Sequence, residues 1–177
     1  MKGLLALLCI FLFVYGYNCC SSGWHSHSGS CFKIYPERTS WNSAKASCLH
    51  HGAELAEDHD HSTHSFLVNL IKNDPSYRSS NHHHTGSFQP IYCIGATDHN
   101  LDYDWQWAST GKVVYPEMFG VHQPDRYMGS NQECLAINVR SDWSESSNWD
   151  DVSCGSKHYM YICEKKDSGH GGSHLIG

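Results

Sequence analysis

Nine cysteines constrain this 177-residue chain more than any other feature, because eight of them follow an amino-terminal segment with the layout of an export signal. Lys2 precedes an apolar run over 4–14, and Val14-Tyr15-Gly16 offers residues that a signal peptidase accepts. Residues 1–16 therefore read as a signal peptide, with the mature chain starting near Tyr17 and secreted. About a dozen apolar residues fall short of the roughly 20 that span a bilayer, so membrane insertion is not expected. Cys9 leaves with the signal. The eight cysteines that remain imply a disulfide framework in an oxidising compartment, although sequence alone does not choose among the connectivities of eight cysteines.

Loss of Lys2 takes the formal net charge from −6 to −7. No Lys/Arg cluster remains to neutralise a phosphate backbone, so nucleic acid is not an expected partner. About 160 mature residues suit one domain with a real core. No Asn-x-Ser/Thr sequon occurs, so N-glycosylation is not expected. The chain has no Gly-x-Ser-x-Gly and no His-Glu-x-x-His, and an enzyme is not expected.

Helical spacing comes early. In residues 41–56, Trp41, Ala44, Cys48 and Leu49 follow the capping residues Thr39 and Ser40, and Gly52 is placed to end the turn. A second helix is predicted where Asp60, Ser62 or Thr63 caps a run carrying Phe66, Leu67, Leu70 and Ile71, with Asn73-Asp74-Pro75 as its stop. Residues 74–90 show no hydrophobic period and read as an exposed loop. Short apolar runs at 91–94, 105–108, 134–139 and 159–163, separated by Gly, Pro, Asn and Asp clusters, read as strands. Helices early and strands late predict an α+β domain. Residues 165–177, rich in Gly, Ser and His towards their end, read as a flexible tail. The connection between Tyr115 and Cys134 is long for a compact domain, and long ordered loops tend to be functional.

That connection holds Gln123-Pro124-Asp125, eleven residues before Cys134 counted from Gln123, and Trp149-Asp150-Asp151 lies just ahead of Cys154. An amide and several carboxylates converging from two segments are what Ca²⁺ asks for, since that ion takes about 6–8 oxygen ligands.

The ordered set of residues resembles the C-type lectin family over about 20–164. Cys20, Gly23-Trp24 and Cys31-Phe32 resemble the family's opening segment. Trp41, Ala44, Cys48 and Gly52 resemble its first helix. Tyr92-Cys93-Ile94-Gly95 is similar to its Trp-Ile-Gly-Leu strand, with Cys where Trp is usual. Trp105-Gln106-Trp107, Cys134, Trp149, Cys154 and Cys163 fit the rest. The resemblance implies a disulfide-stapled carbohydrate-recognition domain over 17–164, with two helices, short antiparallel sheets and long calcium-binding loops. It implies the pairings Cys20–Cys31, Cys48–Cys163 and Cys134–Cys154. Cys93 reads as a small buried hydrophobe. Cys19 is assigned an interchain bond to a second subunit, giving a disulfide-linked oligomer, with a Cys19–Cys93 bridge as the alternative.

The resemblance also implies Ca²⁺ as cofactor and a glycan bound directly to it through vicinal hydroxyls. The proline of the tripeptide is expected cis. The implied calcium ligands are Gln123, Asp125, Asp150 and Asp151, with either Gln132 or Glu133 completing the set. Glu is usual where Gln132 stands and Asn where Asp150 stands, so amide and carboxylate have traded places and each pair still offers one donor and one acceptor. Gln-Pro-Asp implies terminal galactose or GalNAc, held by Gln123, Asp125, Gln132 and Asp150, with Tyr127 stacking on the sugar's apolar face. A GlcNAc- or mannose-binding variant is the alternative specificity. Arg126 stands where the family often has an oxygen ligand for a second Ca²⁺, and a cation argues against that auxiliary site. Asp142, Glu145 and the group Asp98, Asp102 and Asp104 offer carboxylates that are usually just solvated. The implied function is recognition or agglutination in innate immunity. The alternative from another class is a C-type-lectin-like matrix, biomineral or protein-binding domain.

Fifteen histidines invite a transition-metal reading: His59, His61 and His64 could share a helix face, and His82-His83-His84 form a dense tract. Adjacent histidines in a loop fix no coordination geometry. The preferred reading is an exposed polar surface whose imidazoles charge below a pH of about 6.5.

Overall fold

Ser40 turns extended backbone into helix. Its side chain accepts the backbone N–H of Ser43, and α1 (Trp41–His50) follows with Trp41, Ala44 and Cys48 buried along one face. The computed structural model describes residues 20–81, 90–98, 103–126, 132–139 and 148–167. The helix closes at Gly52, the residue expected to end it within 41–56, which adopts φ +66°. Gly52 N–H donates to Leu49 O at 3.0 Å and Ala53 N–H to Cys48 O at 2.9 Å, which closes the helix in a Schellman motif. The chain then enters the short strand β3 (Glu54–Leu55).

Of the three capping residues expected for the second helix, Asp60 does the work. It accepts the N–H of Ser62 at 2.8 Å and of Thr63 at 2.9 Å, and α2 (His61–Asn73) buries Thr63, His64, Leu67, Val68 and Ile71. The Thr63 N–H holds the Asp60 carboxyl below its ordinary value, with Ser62 adding to the effect against a smaller opposing burial. Asp60→Ala is expected to cost about 1 kcal/mol in chemical denaturation. The folded value lies below the unfolded one. The wild-type advantage is therefore present above a pH of about 4 and disappears as pH falls through the folded value, which a denaturation series against pH reads directly.

The segment expected as loop over 74–90 begins instead as a third helix, α3 (Pro75–Asn81). Pro75 stops α2 and also suits the first position of α3, where its missing N–H would have had no partner. Asp74 Oδ1 accepts the N–H of Ser76 at 2.9 Å. The His82-His83-His84 tract lies outside the described residues, as do the signal segment, Cys19 and residues 168–177 of the tail.

The remaining strands are β1 (His25–His27), β2 (Ser30–Thr39), β4 (Ile91–Thr97), β5 (Gln106–Trp107), β6 (Cys134–Asn138), β7 (Trp149–Val152) and β8 (Tyr159–Lys166). They form one sheet in the order β1-β2-β8-β4-β6-β7, with β3 on β8 and β5 on β4. Every pairing is antiparallel except β4 with β8, which run parallel through Tyr92↔Met160 and Cys93↔Tyr161. The fold is α+β as expected, and its mostly antiparallel sheet carries one parallel pair.

Two buried clusters cover this sheet. One packs Leu67, Val68 and Ile71 of α2 against Ile94, Leu135, Ile137 and Trp149. The other packs Trp41, Ala44 and Cys48 of α1 against Cys93, Ala136 and Tyr161. Gly95 lets β4 approach β3: its N–H donates to Ala56 O at 2.8 Å, and a Cβ there would stand 2.8 Å from Leu55 O. The three expected disulfides are all formed, Cys20–Cys31, Cys48–Cys163 and Cys134–Cys154. Cys93 is fully buried and has no disulfide partner among the described residues, and burial pushes its thiol far above the ordinary value.

Candidate functional site

β7 places the site. Trp149 opens that strand almost fully buried, packed edge-on against Trp107 and Phe119. Its carbonyl accepts the N–H of Gly120 at 2.8 Å, which fixes the start of the Gln-Pro-Asp segment. Its indole N–H donates to Asp58 Oδ2 at 2.9 Å, and the same oxygen lies 2.6 Å from His64 Nδ1. Asp58 and His64 are both fully buried. Strand alternation after Trp149 then sends Asp150 and Asp151 to opposite faces. Asp150 is half-buried, with Oδ2 accepting from Asn138 Nδ2 at 2.9 Å, whereas Asp151 is completely buried.

Asp151 gathers the expected ligand segments. Its Oδ1 accepts the N–H of Asp125 and its Oδ2 that of Arg126, both at 2.8 Å. Its carbonyl accepts Gln132 Nε2 at 2.8 Å. The Gln123–Pro124 bond is cis, as expected, and Gln123 Oε1 also accepts the Asp125 N–H, at 3.0 Å. Burial pushes the Asp151 carboxyl above its ordinary value, opposed by the two backbone N–H groups and reinforced by the Asp125 charge. Between the two candidates at the next position, Gln132 reaches Asp151 through its side chain, whereas the Glu133 carbonyl accepts the N–H of Asp98 at 3.1 Å. Tyr127 lies outside the described residues, as do Asp102, Asp142 and Glu145.

Every side chain expected to ligate offers oxygen, and each Asp151 oxygen holds one backbone N–H while keeping a further lone pair. Gln132 Oε1 is buried with no hydrogen-bond partner among the described residues, an acceptor that a cation would satisfy. The set fits calcium in kind. The carboxylates do not stand clustered, however: among the described residues the only three His, Cys, Asp or Glu groups with ligand atoms within 4.8 Å of one another are Cys20, Cys31 and Asp167, and both sulfurs are in a disulfide.

Arg126 pairs with the buried Asp98 and lies over the Tyr103 ring, so Asp98 is not a solvated carboxylate as expected. The helix histidines also part company: His64 meets Asp58, His59 Nε2 lies 2.7 Å from Glu57, and His61 is exposed at the start of α2. Asn138, Asp58 and His64 were not anticipated at the site. Each is polar inside an otherwise structural run, and no local pattern sets it apart.

The model of the Lectin C-type domain matches residues 37–165. The chain belongs to the C-type lectin domain family. This C-type lectin domain is 28% identical over 143 residues to rat versican core protein, a match covering 81% of the chain and 4% of that protein. The chain thus spans a small part of the length of the curated relatives it matches. The C-type lectin domain of murine dendritic cell inhibitory receptor 2, solved in complex with N-glycan, superposes with a TM-score of 0.64 at 21% identity, covering 84% of this chain and 99% of that one. A calcium-independent type II antifreeze protein superposes with a TM-score of 0.64 at 20% identity, covering 86% of this chain and 98% of that one. These two likenesses show the shared C-type lectin fold. No helix among the described residues is long and apolar enough to cross a membrane.

Proposed function

We propose that this domain is a secreted, calcium-dependent glycan binder whose site is built from Gln123, Asp125, Gln132, Asp150 and Asp151, with Glu133 as the alternative to Gln132. The observation that supports it most is the closure of the cis Gln123–Pro124 segment on Asp151 beside the buried Gln132 Oε1, which has no hydrogen-bond partner among the described residues. Bound calcium would supply a positive centre that accepts two vicinal sugar hydroxyls. The side chains do the selecting. Within each pair, Gln123 with Asp125 and Gln132 with Asp150, the amide donates to a hydroxyl oxygen while the carboxylate accepts that hydroxyl's proton. The Gln-Pro-Asp order and a stacking role for Tyr127 favour terminal galactose or GalNAc over GlcNAc or mannose. A single shallow site binds weakly, so clustering of several domains, for example through Cys19, would supply avidity in recognition or agglutination.

A second reading is a calcium-independent domain that contacts protein or a matrix. It is favoured by one feature: Asp151 already spends its carboxylate on two backbone N–H groups and Asp150 on Asn138, and among the described residues no three carboxylates come within 4.8 Å of one another. A glycan array run with and without EDTA, beside Asp125→Ala, separates the two. Binding to galactosides that EDTA and the substitution each reduce at least tenfold is the expected result. Calcium-dependent binding to mannose or GlcNAc would leave the site standing and overturn the specificity. Absence of any calcium-dependent binding would overturn the leading reading in favour of the second.

A further inference from the structure

Asp98 and Arg126 form an ion pair, Nη2 to Oδ2 at 2.5 Å, in which the carboxylate is 1% exposed and the guanidinium 26%. The guanidinium carbon stands 4.1 Å from the centroid of the Tyr103 ring. The Tyr103 N–H donates to the same Asp98 oxygen at 3.1 Å, and the Asp98 N–H donates to Glu133 O at 3.1 Å. Asp98 therefore joins three places in the chain: Tyr103 and the residue after Gln-Pro-Asp through its buried carboxylate, and the segment entering β6 through its backbone N–H. Tyr103 and Arg126 adopt φ of +67° and +42°, a region that side chains other than glycine avoid, and both are bonded to Asp98. Arg126 also offers its backbone N–H to Asp151 at 2.8 Å. Its two ends thus hold two buried carboxylates, Asp98 just after β4 and Asp151 in β7.

We propose that Arg126 is the positioning residue of the site loop: paired with Asp98 and stacked on Tyr103, it keeps the N–H groups of Asp125 and Arg126 on Asp151 before any ion arrives, so that the loop is preset for a single divalent cation. The calcium part of this inference rests on the site assignment of the preceding subsection; the latch itself does not. The guanidinium supplies positive charge and a planar donor fork where the three segments meet. A lysine would keep the charge and lose the fork and the stacked plane. Alanine would leave Asp98 buried without its counter-charge.

The test is amide hydrogen exchange on the calcium-free protein, with calcium titration calorimetry beside it. In the wild type the Asp125 and Arg126 amides are expected to be protected. Arg126→Ala should speed their exchange at least tenfold and Asp98→Asn should speed it too, while Arg126→Lys falls between alanine and the wild type. The amides of α1 are the reference, and acceleration shared equally by α1 would report global unfolding and overturn a local role. Exchange at 125 and 126 unchanged in Arg126→Ala would overturn the latch. In the titration the wild type should bind one calcium per chain, with affinity at least tenfold weaker in Arg126→Ala. Two bound ions in the wild type would overturn the single-cation part. Arg126-dependent protection in a wild type that binds no calcium would uphold the latch and sink the site assignment instead.

Discussion

Replacing Cys48 and Cys163 together by alanine is expected to lower the free energy of unfolding by about 5 kcal/mol, whereas removing Cys20 and Cys31 costs about 3 kcal/mol. The bonds are chemically the same; what differs is the loop each closes, 115 residues of sequence separation against 11. A cross-link lowers the entropy of the unfolded chain by an amount that grows with the logarithm of that loop. Cys48 and Cys163 are both fully buried, joining α1 to β8, so their loss also leaves a small defect in the second core cluster. Urea denaturation of the two double variants checks the ranking. Equal losses, or a larger loss from the shorter loop, would show that packing around the sulfurs outweighs chain entropy.

Asp58→Ala carries the second large effect. It removes one oxygen that serves both Trp149 Nε1 and His64 Nδ1, and it leaves two polar groups stranded in the core between α2 and β7. Breaking a buried polar pair from one side typically costs about 3–5 kcal/mol. For a domain of this size that corresponds to about 10 °C in melting temperature. Asp58→Asn keeps one acceptor oxygen and should lose about half as much. The Asp58→Leu/His64→Leu variant removes both partners of the 2.6 Å contact and should recover part of the loss. A melting temperature for Asp58→Ala within about 2 °C of the wild type would mean that Trp149 and His64 find other partners. The effect should also reach the site, because Trp149 carries Asp150 and Asp151 behind it and holds Gly120 through its carbonyl.

Local chemistry made some of this molecule readable from sequence and hid the rest. Asp60 and Ser40 were readable because a cap works within three residues of itself. The cis proline and the three disulfide pairings were readable through the family resemblance, since eight cysteines alone admit many pairings. β2 escaped because Ser30–Thr39 mixes Lys, Glu and Arg with its apolar residues and carries Pro36, which sits where the register with β8 slips. α3 escaped because Pro75 has two roles, ending one helix and beginning the next. The charge of Arg126 was legible as an obstacle to a second ion. Its partner was not, since Asp98 lies 28 positions earlier and only the fold brings the two together. The same holds for Asp58 and Trp149, separated by 91 positions.

The disulfides also determine how the domain would carry a mechanical load. A covalent route runs from Cys20 across to Cys31, along the chain to Cys48, and across again to Cys163 near the end of β8. Tension applied between the two ends of the described chain would follow that route and leave residues 49–162 slack. The Gln-Pro-Asp segment, β6 and β7 all lie within the slack part, with Cys134–Cys154 as a further tie of their own. The candidate site could therefore hold a ligand while the chain on either side of it is pulled.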